Sequence, residues 1–174
     1  MGIKKIEMND NSNESVAILT GLKQSIGMIP NVYAVLGNSL DVLKAYLQYN
    51  KTLEGTSLSK VIQEKIALAV SGVNVCAYCK RAHFAVGKML KESPEELKKN
   101  LIGDSNNQEH KLIVQLAAEI ARTKGKVDSE LLKKSIAQLG ERGVVEVYGW
   151  VLSTIFTNFF NHLAETQVDF PEIV

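Results

Sequence analysis

The chain has 174 residues, of which 45% are hydrophobic and 22% are charged, proportions typical of one globular domain with a substantial core. Its 20 Lys and Arg nearly balance 19 Asp and Glu, and the net charge of +1 gives no sign of a nucleic-acid or anionic-membrane partner. Three prolines and 12 glycines leave little room for linkers.

The N-terminal residues are polar and lack the apolar core of a signal peptide. We therefore expect a cytoplasmic protein without a membrane span, with residues 1–13 as a flexible N-terminal segment and residues 14–174 as one domain. In the cytoplasm, two closely spaced cysteines are more often catalytic or redox-sensing than a structural crosslink.

Apolar residues at helical spacing dominate the first third of the chain. They predict a helix over Glu14–Ile26, a short helix that Asn31 caps and that runs to Leu36, and a third helix that Ser39 caps and that runs to about residue 53. Ser59 is the predicted cap of a fourth helix, whose stretch IALAV is apolar on all sides, as in a buried helix.

The next break is expected at residues 72–74, Gly-Val-Asn, because glycine and asparagine suit a helix end. A fifth helix is predicted over residues 75–90. A serine and a proline at 93–94, followed by Glu96, form a capping box that predicts a sixth helix to about residue 101.

Two further caps, Asn107 and Asp128, predict helices that end near Lys124 and at Gly140. Residues 144–165 are rich in β-branched and aromatic residues, which favours a strand by propensity. The segment does not alternate and is too long for a strand, so we predict a buried helix, apolar around most of its circumference, in the core and in a subunit interface. The expected architecture is an all-α, single-domain helical bundle that forms an oligomer.

The only two cysteines, Cys76 and Cys79, stand in a C-x-x-C spacing, and His83 follows four residues later. On one helix, an advance of about 100° per residue puts the second sulfur about 60° from the first, and the imidazole within about 20° of Cys76. Thiols at i and i+3 can form a disulfide, and the positive end of the helix dipole favours a thiolate at Cys76. An imidazole one turn away can exchange protons with them.

Glu64 belongs to the preceding helix, twelve residues before Cys76. The short break lets the two helices fold back as a hairpin, which would bring this carboxylate beside the cysteines. Apolar surroundings would raise its pKa and make it a general base. The candidate catalytic residues are therefore Cys79, Cys76, His83 and Glu64.

Other interpretations of these residues stay open. Cys76, Cys79 and His83 supply three of the four ligands of a zinc site, and Glu64 or His162 could supply the fourth. Alternatively, the cysteines are small packing residues, the histidine is buried with satisfied hydrogen bonds, and the glutamate is solvated. The joint occurrence of the four residues favours catalysis without a metal, and no cofactor motif such as G-x-G-x-x-G is present.

With the spacing E-x11-C-x-x-C-x3-H, these residues resemble the alkylhydroperoxidase D-like branch of the carboxymuconolactone decarboxylase superfamily. Residues 30–33, residues 45–47 and the tail over residues 158–171 are also similar to that branch, so the resemblance covers most of the chain. It implies an all-α fold, an obligate homo-oligomer (a trimer or a hexamer), and thiol-dependent peroxidase or disulfide reductase activity.

By position, the resemblance makes Cys79 the peroxidatic cysteine, Cys76 its resolving partner, and Glu64 with His83 the proton relay. The chain departs from alkylhydroperoxidase D at Tyr78, where that protein carries a histidine between its cysteines. Tyr78 could offer its hydroxyl to the site or serve in aromatic packing.

The predicted function is a thiol-dependent hydroperoxidase in antioxidant defence, with a peroxide as substrate and an external thiol or dithiol as reductant. Cys79 attacks the O–O bond and becomes a sulfenic acid, which Cys76 converts to a disulfide. The alternatives are a dithiol–disulfide oxidoreductase that does not act on peroxide, and a redox-sensing or structural oligomer without catalysis. Of the remaining two histidines, we expect His110 on the surface and His162 in a structural hydrogen bond.

Overall fold

The computed structural model describes residues 2–9 and 13–174, and these residues form eight helices and no strand. The helices are α1 (Glu14–Ile26), α2 (Asn31–Leu36), α3 (Leu40–Leu53), α4 (Lys60–Val73), α5 (Ala77–Met89), α6 (Pro94–Leu101), α7 (Gln108–Thr123) and α8 (Ser129–Ala164). The all-α architecture that the sequence predicts is confirmed.

Side-chain caps start most of the helices where the sequence indicates. The predicted cap at Asn31 is wrong, because α2 begins at Asn31 itself, after Pro30, and no side chain caps it. Ser59 and Ser93 accept hydrogen bonds from backbone N–H groups in the first turns of α4 and α6, and Asn107 and Asp128 do the same for α7 and α8. Each such cap is worth about 1 kcal/mol. The predicted capping box at Ser93 is only half formed, because the Glu96 side chain turns into the protein instead of reaching back to the cap.

Helix α4 is the centre of the bundle. Its residues 65–71 are all buried, because α5, α6, α7 and α8 pack around it. Ile66 and Val70 pack in one apolar cluster with α7 and α8. A second cluster joins α1, α2 and α3 to Cys76 and Cys79. The cysteines therefore lie inside the domain.

A buried charged network ties α4 to α6. The Lys65 side chain, 2% exposed, lies 2.7 Å from Glu96 Oε1 and 2.9 Å from Glu92 Oε2. Glu96 also accepts hydrogen bonds from the Ser105 hydroxyl and the Asn100 amide. Burial disfavours the charge on Glu96, but the hydrogen bonds outweigh it and lower its pKa to about 2. The network therefore depends on the charges of Lys65 and Glu96 both being present.

Helix α8 bends at Gly140, whose φ of 69° and ψ of 170° interrupt the helical geometry. Glycine adopts a positive φ without steric cost. The predicted helix end at Gly140 is therefore a kink, and the chain resumes helical geometry at once rather than at residue 144. The kink redirects the second part of α8 along α3 and α4.

One face of α8 carries an exposed apolar stripe. Its members recur every three or four residues and are between 39% and 74% exposed: Val145, Tyr148, Leu152, Phe156, Phe159 and Leu163. We call this set the outer stripe. The prediction of a buried helix therefore holds for the inner face of α8 only, and the prediction that the helix also lies in a subunit interface stays a prediction. None of the helices in the described ranges combines the length and apolar composition that a membrane crossing needs.

Residues 2–9 lie along the domain. The N–H of Ile3 donates to the carbonyl of Ala164, and the N–H of Ile6 donates to that of Ala34. The Ile6 side chain packs against the cluster that contains the cysteines. The flexibility of residues 1–13 stays a prediction, and residues 1 and 10–12 lie outside the described residues.

Candidate active site

The turn between α4 and α5 places both cysteines. Helix α4 ends in a Schellman motif, in which the N–H of Cys76 donates to the carbonyl of Ser71 at 3.1 Å and that of Val75 donates to Gly72 at 3.2 Å. Val75 takes the left-handed position (φ 55°), where glycine is usual, so its branched side chain makes the turn strained. The predicted start of α5 at Val75 is therefore wrong, since the helix begins at Ala77.

Cys76 is the N-cap of α5. Its sulfur accepts a hydrogen bond from the backbone N–H of Cys79 at 3.3 Å, at the helix end where the dipole favours a negative charge. The two sulfur atoms lie 2.9 Å apart, share a hydrogen bond and are not joined as a disulfide. Both residues are buried, with 1% and 2% of their surface exposed.

The two thiols compete for one proton. The hydrogen bond from the Cys79 thiol is the main reason that the pKa of Cys76 falls from 9.0 to about 6. Burial opposes this shift, whereas the Cys79 backbone N–H and the charges of His162 and His83 add to it. The same hydrogen bond, together with burial and the charge on Cys76, raises the pKa of Cys79 far above its ordinary value. At neutral pH the pair therefore holds one proton and one negative charge.

Glu64 and His83 meet across the α4–α5 hairpin. Imidazole Nδ1 lies 2.8 Å from carboxylate Oε2, and the side chains are 27% and 20% exposed for His83 and Glu64. Burial opposes the charged imidazole, but Glu64 and the charge on Cys76 outweigh it and raise the pKa of His83 above 6.5. The pair is partly exposed to solvent, and the charge on His83 also helps to lower the pKa of Cys76.

Two asparagines of α8, to which the sequence assigns no role, complete the site. Asn161 Nδ2 donates to the sulfur of Cys79 at 3.2 Å, and Asn158, one turn earlier, donates to Ser71 at 3.2 Å. Both amides favour the Cys79 thiolate, although the hydrogen bond to Cys76 outweighs them. The signal in the sequence is weak: two amides at i and i+3 in an apolar helix share a face and need buried partners.

Two tyrosines that the sequence analysis also leaves without a role lie near Cys79. The rings of Tyr33 on α2 and Tyr46 on α3 have centroids 6.3 Å apart, and Tyr46 stacks on Phe156 at 4.7 Å. Burial raises the pKa of both phenols. Both therefore remain neutral O–H groups at physiological pH.

Tyr78 serves in packing. Its ring is 4% exposed and meets Phe170 edge-on, with centroids 5.6 Å apart, and its hydroxyl oxygen accepts a hydrogen bond from the N–H of Val32 at 3.3 Å. The residue between the cysteines therefore anchors the C-terminal tail and α2 against α5.

The other two histidines differ from their expected roles. His162 is exposed, and its charge helps to lower the pKa of Cys76, so it lies near the dithiol. His110, expected on the surface, is partly buried with Nδ1 shielded from solvent. Within the described ranges, no group of three or more His, Cys, Asp or Glu side chains is arranged to hold a metal ion.

Comparison with known proteins gives one family match. The model of the carboxymuconolactone decarboxylase family matches residues 41–103, which contain all four predicted catalytic residues. No curated protein matches the chain at a significant level.

Several solved structures share the fold. An uncharacterized peroxidase-related protein from Silicibacter sp. TM1040 superposes with a TM-score of 0.81 at 20% identity, over 95% of this chain and 91% of that one. An alkylhydroperoxidase AhpD core protein from Ralstonia eutropha JMP134 gives 0.82 at 16% identity, over 97% and 94%. A cysteine-to-alanine variant of the debrominase Bmp8, in complex with 2,3,4-tribromopyrrole, gives 0.81 at 15% identity, over 96% and 91%.

Proposed function

We propose that this chain, whose residues 41–103 match the carboxymuconolactone decarboxylase family and whose fold is that of an alkylhydroperoxidase AhpD core protein, is a thiol-dependent hydroperoxidase. The observation that carries this proposal is a pair of buried sulfurs 2.9 Å apart that share one proton, beside a carboxylate–imidazole pair. Such a pair can give two electrons to a substrate and store the result as a disulfide.

The first step oxidises one sulfur. Cys79 attacks the outer oxygen of the hydroperoxide, so that an S–O bond forms and the O–O bond breaks. The Cys79 proton passes to the thiolate of Cys76, and the departing alkoxide takes a proton from His83 to leave as an alcohol. Cys79 has then lost two electrons to the peroxide and is a sulfenic acid.

The second step closes the disulfide. The Cys76 thiol passes the proton that it received from Cys79 to the neutral His83, which Glu64 orients and holds basic through the 2.8 Å contact. The Cys76 thiolate then attacks the sulfur of Cys79, and the hydroxide that leaves takes the proton from His83 to form water. An external thiol or dithiol restores both cysteines by exchange.

The division of roles follows the resemblance. At rest the thiolate is on Cys76, whose sulfur accepts hydrogen bonds from Cys79 at the cap of α5, so Cys79 becomes a nucleophile only when its proton moves to Cys76. The opposite order, in which the resting thiolate of Cys76 attacks first, uses the same dithiol. Single serine variants separate the two orders.

We also infer that the protein is a homo-oligomer assembled through the outer stripe. Six large apolar side chains on one helix face, each at least 39% exposed, form an apolar patch of the kind that marks an interaction surface. A second copy would bury them, and the trimer or hexamer implied by the resemblance is the expected assembly.

A second candidate function is a dithiol reaction on a substrate other than peroxide. The observation that favours it is the debrominase Bmp8, which has the same fold. A disulfide oxidoreductase belongs to the same candidate, since the sulfur pair alone suffices for thiol–disulfide exchange.

The deciding experiment is stopped-flow reaction of the reduced protein with tert-butyl hydroperoxide and with hydrogen peroxide, followed by thiol counting. We expect two thiols lost per peroxide, at a rate far above that of a free thiol. Cys79→Ser should abolish the reaction, and Cys76→Ser should leave one turnover that ends in a trapped sulfenic acid. A reversed result exchanges the roles, whereas thiols that persist in the wild type rule out peroxide as the substrate.

A further inference from the structure

The carbonyl oxygen of Asn161 is a feature of the site that the reaction above does not use. The residue is 5% exposed, and its Nδ2 is 3.2 Å from the sulfur of Cys79. Its Oδ1 is buried and accepts no hydrogen bond from any residue that the structure describes. Buried amide oxygens nearly always have a donor, so an unpartnered one beside a reactive sulfur indicates a group that arrives with the substrate.

The neighbouring Asn158 makes the contrast clear. This residue is fully buried, its Nδ2 donates to Ser71 at 3.2 Å, and its Oδ1 accepts from Asn74 at 2.9 Å. Both ends of that amide are engaged in holding α8 against the α4–α5 turn. Of these two amides, that of Asn161 has the acceptor to spare.

We propose that Asn161 is a catalytic residue whose Oδ1 accepts a hydrogen bond from the O–H of the hydroperoxide and afterwards from that of the Cys79 sulfenic acid. This inference rests on the proposed function. One amide then holds both reacting partners, since its N–H binds the sulfur and its carbonyl binds the oxygen that the sulfur attacks.

The atoms of the reaction suit this arrangement. When Cys79 attacks, the outer oxygen keeps its hydrogen while the O–O bond breaks and the alkoxide leaves with a separate proton. The O–H donor is therefore present in the substrate, during transfer and in the sulfenic acid. A single fixed acceptor can follow it without rearrangement.

The substrate class follows from the same contact. A hydroperoxide carries an O–H on the atom that the sulfur attacks, whereas a disulfide or a dialkyl peroxide carries none. Only a hydroperoxide would therefore satisfy Oδ1 of Asn161, and the other substrates would leave it buried without a donor. Asn161 is thus expected to select hydroperoxides over disulfides.

The test uses the full-length Cys76→Ser protein, in which Cys79 is the only thiol. The rate of sulfenic acid formation with tert-butyl hydroperoxide is compared with the rate of alkylation by iodoacetamide, which needs no O–H acceptor. A second substitution, Asn161→Ala, should lower the peroxide rate about five- to tenfold more than the alkylation rate, as expected for one lost neutral hydrogen bond. A change in thiol pKa alone would lower both rates by one factor.

Three variants in the same background sharpen the test. Asn161→Asp keeps an acceptor oxygen, so the ratio of the two rates should stay near that of the parent even where both rates fall. Asn161→Ser provides a second truncation if the alanine variant does not fold. Thr154→Ala is the matched control, because Thr154 is a buried polar residue of α8 whose hydroxyl donates only to the Trp150 carbonyl, and it should leave both rates unchanged.

The outcomes separate the two proposals. If the wild-type protein reacts with peroxide no faster than a free thiol, the proposed function fails and this inference fails with it. If the wild type reacts fast but the Cys76→Ser parent does not, the two cysteines exchange roles, and only the assignment of Asn161 to an attacking Cys79 is overturned. If the parent reacts fast but Asn161→Ala changes both rates by the same factor, only the role of Asn161 is overturned.

Discussion

The shared proton of the cysteine pair can be tested by removing its donor. Cys79→Ala deletes the thiol that bonds to the sulfur of Cys76, but it keeps the backbone N–H at position 79 and the start of α5. The site lowers the pKa of Cys76 from 9.0 to about 6, which corresponds to about 4 kcal/mol in favour of the thiolate. The hydrogen bond from Cys79 is the largest contribution, so we expect the pKa to rise by about two units in the variant.

This change is large enough to measure directly. At pH 7 the thiolate fraction of Cys76 would fall from about 90% to about 10%. Thiolate absorbance at 240 nm, titrated between pH 4.5 and pH 10, reports the fraction without requiring a reagent to reach the buried sulfur. The wild type should show one thiolate forming near pH 6 and the second only at strongly alkaline pH, as expected for a coupled pair.

Cys79→Ser is the matched control, because its hydroxyl keeps a donor at the same position and should hold the midpoint below that of the alanine variant. If Cys79→Ala still titrates near pH 6, the helix terminus and the histidines stabilise the anion, and the shared proton is not its cause. If both wild-type thiols titrate near their ordinary value, the site holds no thiolate at neutral pH and the reasoning is refuted.

Three other measurements address the parts around the dithiol. Glu64→Gln should lower the pKa of His83 and, below pH 6.5, reduce the free energy of unfolding in urea by about 1 kcal/mol. This reduction should vanish as the pH rises through the raised pKa of the imidazole, and a reduction that does not depend on pH would contradict the ion pair. Phe159→Glu, in the outer stripe, should convert the oligomer to monomers in light scattering, whereas Met89→Glu, at an 80% exposed position outside it, should not; equal masses would rule out the stripe as the interface. Glu96→Gln should reduce the free energy of unfolding by about 3 kcal/mol at pH 7. It should also remove the fall in stability that the wild type shows between pH 4.5 and pH 2. If stability depends on pH in the same way in both proteins, the network does not stabilise the folded state.

Local signals account for what could be predicted from the sequence. The caps at Ser59, Ser93 and Asp128 act within one helical turn, so residue type and position suffice to place them. The meeting of Glu64 and His83 follows from two helices joined by a short turn, and their 19-residue separation made the contact foreseeable.

What could not be predicted depends on distant packing. Asn161 reaches Cys79 across 82 residues, and no local pattern indicates which face of α8 turns towards the cysteines. The exposure of Phe159 could not be predicted either, because a helix that is apolar on most sides shows no difference in hydrophobicity between its inner and outer faces. Val75 takes a backbone conformation that its residue type disfavours, so the sequence predicted a start of α5 that is two residues too early.

The separation between Cys79 and Asn161 also has a consequence for biosynthesis. The α4–α5 hairpin can form from neighbouring segments alone, whereas Asn161, whose amide contacts the sulfur of Cys79, is synthesised 82 residues later. At a translation rate of about 5–20 residues per second, the hairpin precedes that cover by about 4–16 seconds. Each newly made chain therefore spends this interval with its thiols uncovered by α8, and the thiols are open to oxidation until the last helix docks.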